Sequence, residues 1–309
     1  MKKFDYLIIG GSAAGTTAAD VIRGMKPEET IAIVTDENHE QYSRVLLPHY
    51  LRRKISREQV FLKKPEWYIE KGINLIKGVR AENLDSNHKV VKLNNGEEIE
   101  YRKILIAIGG KVVPFGAIGE ELNNIFYLRT IEDADSVLEA GSKSKNAVVI
   151  GGGFIGLEFA HSFKIEGVAN VTVLVKEPFF WDGKLDEDSA KVLTDVLERN
   201  GVKILTGEEV DRFEGQGKVS KVVTKSGKQI DADVVGIGIG IKSDLAFLKY
   251  SGINIGRAIL TNEYLETNLM DVYAAGDCAE FHDVVFDRQH IMGNWANATS
   301  QGSVVGKTM

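Results

Sequence analysis

Two short glycine-rich runs carry the chemistry of this sequence. Gly10-Gly11-Ser12-Ala13-Ala14-Gly15 and Gly151-Gly152-Gly153-Phe154-Ile155-Gly156 each follow an apolar run and open a helical stretch. Such a turn lets backbone N–H groups approach a pyrophosphate. The first glycine makes the tight exit from the strand, a small middle residue (Ser12 or Gly153) clears room for phosphate, and the last glycine lets the helix pack on the sheet. The helix N-terminus then presents unpaired N–H groups and the positive end of its dipole. An acid at the end of the next strand would bond the ribose hydroxyls, and Asp36 stands there in the first copy. In the second copy Val175 holds that place, followed by Lys176 and Glu177. Two readings stay open: Lys176 attracts the 2′-phosphate of NADPH, or it is a solvated loop charge and Glu177 reaches back to the ribose of NADH.

The turns need strands and helices to place them, and the apolar pattern supplies both. Tyr6–Ile9, the alanine-rich stretch from Ala13 and Ile31–Val34 form a βαβ pattern, which implies a parallel sheet. Ala147–Ile150, the stretch to about Glu166 and Val171–Val175 repeat it, so the chain is a domain duplication. Hairpins are expected around Asn95-Gly96 and Ser226-Gly227, and glycine-ended strands at Ile104–Gly110 and Val234–Gly240. A strand at Val272–Ala275 runs into Gly276-Asp277, and a helix starts at Trp295. The expected fold is α/β: two Rossmann-like dinucleotide-binding domains of the three-layer ββα type, the second inserted in the first. The boundaries are 1–112 with 246–309, and 113–245. Two dinucleotide sites on one chain imply two cofactors facing each other, a nicotinamide giving hydride to an acceptor that is usually a flavin.

Composition bounds the rest. A length of 309 residues suits two domains, and 43% apolar with 27% charged residues is ordinary for a globular chain. Glycine, at 32 residues, is in excess, which suits backbone in close approach to a ligand. A net charge of −6 without a basic face argues against nucleic acid. The one cysteine, Cys278, excludes a dithiol within this chain and a four-cysteine metal site; no metal is expected. No apolar run reaches the ~18–20 residues of a transmembrane span, Tyr6–Ile9 reads as a strand rather than part of a signal peptide, and the cytoplasm is the expected location.

The combination of motifs resembles the pyridine-nucleotide-dependent flavoprotein reductases over essentially the whole chain. Thr267 with Asn268–Asp277 is similar to their second FAD motif, and matches at Ile8–Gly15, Tyr101–Gly109, Gly151–Glu158 and Gly236–Gly240 fall in family order. Tyr42–Pro48 is similar to a segment of rubredoxin and ferredoxin reductases, of nitrite reductase flavin modules and of apoptosis-inducing-factor-like proteins, all without a redox disulfide. The resemblance implies that Asp277 bonds the ribityl chain of FAD, that Arg44 and Arg129 lie along it, and that Ala81, Ala107, Gly109 and Gly276 adjoin it. Gly240 would adjoin the nicotinamide nucleotide. Asn294-Trp295-Ala296-Asn297-Ala298 would aim a helix N-terminus at the flavin pyrimidine edge, and Glu158 would lie near flavin and nicotinamide. Many relatives pair that carboxylate with a lysine where this chain has His49; His49 is then a conditional partner or a surface histidine. Cys278 is read as a packed residue. The family continues past the last helix into an interface domain, whereas this sequence ends at Met309.

The implied activity takes hydride from NADH or NADPH and passes electrons to a small electron-carrier protein or a quinone. Rival expectations are an NAD(P)H oxidase, a nitrite-reductase-like flavin subunit, and an NAD(P)H-sensing binding protein.

Overall fold

The computed structural model describes residues 1–309. Its helices are α1 (Ala13–Met25), α2 (Leu47–Leu51), α3 (Pro65–Glu70), α4 (Ile131–Gly141), α5 (Phe154–Ile165), α6 (Glu187–Arg199) and α7 (Trp295–Thr308). The chain divides into two compact units, Met1–Ser43 with Glu58–Lys111 and Ser243–Met309, and Arg44–Arg57 with Val112–Lys242.

In the first unit, four strands run parallel in the order Ile73–Ile76, Ile31–Val34, Lys2–Ile9, Glu98–Ile106. Leu7, Ile8, Ile33 and Ile104 are fully buried, as expected of a parallel sheet covered on both faces. The long strand Glu98–Ile106 uses its edge twice. Its first half pairs antiparallel with Val90–Leu93 across the Asn95-Gly96 turn, and its second half pairs parallel with Val272–Ala274. That second pairing delivers Gly276-Asp277 to the same end of the sheet as the first glycine turn.

Helices α1 and α7 lie together on one face, and glycine sets their spacing. A Cβ on Gly302 would press into the Ala14 carbonyl oxygen, and one on Gly306 would lie 3.0 Å from the Ala18 carbonyl oxygen. Gly302→Ala is therefore expected to lower the melting temperature, by the equivalent of about 1–3 kcal/mol, because backbone must yield. An unchanged melting curve would show that α7 shifts freely.

The second unit repeats the plan, with parallel strands in the order Val202–Thr206, Asn170–Val175, Asn146–Ile150, Val234–Ile237, Ile125–Phe126. An antiparallel meander of Val210–Gln216, Lys218–Thr224 and Gln229–Asp231 packs Phe213, Val219 and Val222 against Val148, Val235 and Ile237. Thr130 opens α4 with a capping box closed by Asp133.

Residues Arg44–Arg57 go with this unit rather than with the first, where the sequence placed them. The reason is a set of tertiary polar contacts. Tyr50 donates to Asp135 at 2.7 Å, Arg57 Nε to the other oxygen of Asp135 at 2.9 Å, and Arg53 grips Glu166 with two bonds of 2.7 and 2.8 Å. No helix in the chain is long and apolar enough to cross a membrane.

Candidate dinucleotide sites

The first glycine turn sits where strand Lys2–Ile9 hands over to α1. Gly10 has φ +119, and a Cβ there would overlap the Ala107 carbonyl; a Cβ on Gly15 would overlap the Gly10 carbonyl oxygen. Both positions exclude a side chain. Ser12 opens α1 in extended conformation and makes no side-chain capping bond to the first turn, while Ala13 and Ala14 are buried. Gly276, at φ +82, lies against Ala14 and Ala298, and its N–H donates to Gln301 Oε1 at 2.7 Å. One end of the unit thus gathers the α1 N-terminus, Ala107 and Gly276, with half-buried Asp277 following in a single helical turn. Gly109 follows at φ +64. Ala81 starts a strand as a buried residue, and Asp36 is exposed two residues past Val34. These small residues form a cradle that a Cβ would fill, and they fit a bound dinucleotide pyrophosphate.

At the start of α7, Asn294 accepts from Asn297 N at 2.7 Å, so its side chain takes one first-turn N–H group. Trp295 is half-buried against the α1 side of the sheet. Cys278 is fully buried; its Sγ donates to the Ile106 and Ala275 carbonyls at 3.4 Å, and burial pushes the thiol up to about 11. It packs as a neutral thiol, not a nucleophile.

The second turn has the same mechanics. Gly151, at φ +106, would place a Cβ 2.5 Å from the Gly238 carbonyl oxygen, and a Cβ on Gly156 would overlap the Gly151 carbonyl oxygen. Gly238, a residue the sequence reading did not single out, would itself bring a Cβ to 2.9 Å from Gly156 N and 3.1 Å from Ile155 Cβ. Its signal was present as the middle glycine of Gly236–Gly240. Gly153 caps α5 and has no side chain to offer its first turn. Phe154 is 64% exposed, its ring 4.9 Å from that of Trp181. Gly240 is exposed at φ +112.

Val175 is fully buried over Gly152, so the strand end carries an apolar side chain where an acid was sought. Lys176 is exposed, with Nζ 4.0 Å from Glu177 Oε1. Arg129 is half-buried and its N–H donates to Asp133 at 2.8 Å; Arg44 is half-buried at the start of its segment.

Glu158 lies on α5, two residues past Gly156. Burial pushes its carboxyl up to about 7, against the pull of the Arg52 guanidinium. His49 is exposed, and its Nδ1 lies 3.5 Å from Arg52 Nη2. Because the folded pKa of Glu158 is raised, the folded state prefers its protonated form. Stability then falls as pH rises from the unfolded carboxyl range through about 7. Glu158→Gln is expected to raise the melting temperature more at pH 8 than at pH 5; an equal change at both would contradict this.

Known proteins resemble this chain over nearly its whole length. Residues 4–302 match the pyridine nucleotide-disulphide oxidoreductase family. An NADH oxidase of Methanocaldococcus jannaschii is 30% identical over 312 residues, covering 98% of this chain and 69% of its own length. Among solved structures, putidaredoxin reductase in its covalent complex with putidaredoxin superimposes with a TM-score of 0.94 at 28% identity, covering 99% of this chain and 75% of that one. NADH:rubredoxin oxidoreductase from Clostridium acetobutylicum gives 0.83 at 28% identity, covering 99% and 75%.

Proposed function

This chain belongs to the pyridine nucleotide-disulphide oxidoreductase family and is an FAD- and NAD(P)H-dependent oxidoreductase; we propose that its first unit holds the FAD, its second the NAD(P)H, and that electrons leave to a small electron-carrier protein or a quinone. The observation that carries this reading is the pair of glycine cradles, each closed by a backbone carbonyl that no side chain can share. FAD held by the first cradle would supply a hydride acceptor able to return electrons singly.

In this reading Gly10, Ser12, Ala13, Ala14 and Gly15 receive the FAD pyrophosphate and Asp36 its ribose. Asp277 takes the ribityl chain, with Ala81, Ala107, Gly109 and Gly276 beside the cofactor and Trp295 near the flavin. Gly151, Gly153, Phe154, Ile155, Gly156 and Gly240 receive NAD(P)H. Glu158 holds a proton at its carboxyl, and a pKa of about 7 suits it to exchange one near neutrality. The outward route for electrons is supported by Cys278, the chain's one thiol, which is buried and protonated. The cytoplasm is the proposed location.

The test is to load the protein with FAD and measure electron delivery to rubredoxin, ferredoxin and a soluble quinone under NADH or NADPH. Turnover with at least one supports the reading, and none with any of them rejects the outlet. The likeness to an NADH oxidase supports oxygen as a second acceptor, read as oxygen uptake in the same assay.

Lys176 gives a separate expectation. Lys176→Glu sets a second carboxylate beside Glu177, and an acid at this strand end repels a 2′-phosphate. The NADPH/NADH ratio of kcat/KM should fall about tenfold, roughly 1.4 kcal/mol. An unchanged ratio would place the 2′ position elsewhere.

A further inference from the structure

The strand that delivers Asp277 leaves its sheet just before it. Ala275 N still donates to the Ile106 carbonyl at 3.0 Å, and the chain then turns away through Gly276–Cys278, with Gly276 at φ +82. Gly276 is buried, and its N–H is the first backbone donor beyond the sheet ladder, so it must find an acceptor elsewhere. That acceptor is Gln301 Oε1 on α7, 2.7 Å away. Glycine brings the two together. Gly302, next to Gln301, seats α7 on the Ala14 carbonyl, and Gly276 lies against Ala298, one turn before Gln301 on the same helix face.

Gln301 is buried, yet half of its amide is unused. Gly276 N only donates, so the amide oxygen must face it, and Nε2 is left buried without a hydrogen-bond partner in the protein. Burying an amide donor unpaired is unfavourable, and a methionine of similar volume would fill the same space without it. Packing therefore does not account for a glutamine at this position. The bond to Gly276 does.

We propose that Gln301 is a positioning residue of the first cradle: it holds the Gly276 N–H and so fixes the turn that presents Asp277 to the ribityl chain of FAD. This rests on the reading that Asp277 takes that chain. The turn is tied at several points. Gln301 takes its first N–H, Ala279 N closes it on the Gly276 carbonyl, and Ser243 Oγ donates to the Asp277 carbonyl at 3.4 Å and to the Gly109 carbonyl at 2.9 Å. The Gln301 bond is the tie that comes from α7. Without it Gly276 regains the backbone freedom of a glycine at positive φ, and Asp277 follows. Because Gly276 also lies against Ala14 in the first turn of α1, the same bond keeps Asp277 in register with the turn that receives the pyrophosphate.

The test is a double-mutant cycle on FAD affinity, measured by equilibrium dialysis, with Gln301→Met, Asp277→Asn and the two combined. Each single variant should bind FAD about tenfold more weakly than wild type. If Gln301 acts through the Asp277 turn, the double variant binds FAD within about threefold of Asp277→Asn alone. A residue that only packs α7 would lower the melting temperature and show no coupling, its effect on FAD multiplying with that of Asp277→Asn. A further loss beyond about threefold in the double variant therefore overturns the proposal. Gln301→Leu repeats the removal should methionine disturb the seat of α7 on α1, and a cooperative melting transition identifies the folded variants. Wild-type affinity in both Gln301 variants also overturns it. The reading beneath is tested apart, by Asp277→Asn alone, where Gln301 is intact: unchanged FAD affinity there removes Asp277 from the FAD site, and the proposal falls with it.

Discussion

Gly10→Val is expected to release FAD from the protein, weakening its binding roughly 100-fold or more, about 2.7 kcal/mol. Gly10 sits at φ +119, where a β-branched residue is strained, and its Cβ would overlap the Ala107 carbonyl. The chain must move strand Glu98–Ile106 or open the turn, and either change withdraws the α1 N-terminus from the pyrophosphate. The measurement is equilibrium dialysis of FAD against wild type and variant. The second unit supplies an internal control: binding of NADP⁺ or NAD⁺, measured calorimetrically, should survive. Loss of both ligands would mean that the protein unfolded, and retention of FAD near wild-type affinity would remove the first turn from the FAD site.

Gly151→Val is the mirror experiment, with the second-largest expected effect. Its φ is +106, and its Cβ would lie 2.5 Å from the Gly238 carbonyl oxygen. The variant should keep its FAD and its yellow colour, while kcat/KM for NAD(P)H falls roughly 100-fold. The contrast between the two variants matters more than either value. One loses colour and keeps nucleotide binding; the other keeps colour and loses reduction. A Gly151→Val protein reduced at the wild-type rate would contradict the assignment of the second turn.

Much of the architecture was legible because its determinants are local. A strand, a glycine that must turn, and a helix that must pack are encoded within about 30 residues, and both βαβ units, the Asn95-Gly96 and Ser226-Gly227 hairpins and the helix from Trp295 occur where the pattern places them. The placement of Arg44–Arg57 was not legible. It is decided by Tyr50 and Arg57 meeting Asp135 and by Arg53 meeting Glu166, partners 78 to 113 residues away in sequence.

Arg52 escaped notice for a related reason. In sequence it is one member of a basic run, Arg52-Arg53-Lys54. Its partner His161 lies on α5, so the contact exists only once the segment is folded against that helix. Gly238 shows the converse: its type and spacing were visible, but only its approach to Gly156 N shows why the position excludes a side chain.

The central claim, two glycine cradles serving one electron path from nicotinamide to flavin, is tested most directly by anaerobic stopped-flow mixing of the FAD-carrying protein with NADH and, separately, with NADPH. The account predicts that the flavin absorbance bleaches within about a second with at least one of them, a rate ordinary for such enzymes. A protein that binds FAD yet keeps its absorbance unchanged with both nucleotides would contradict it.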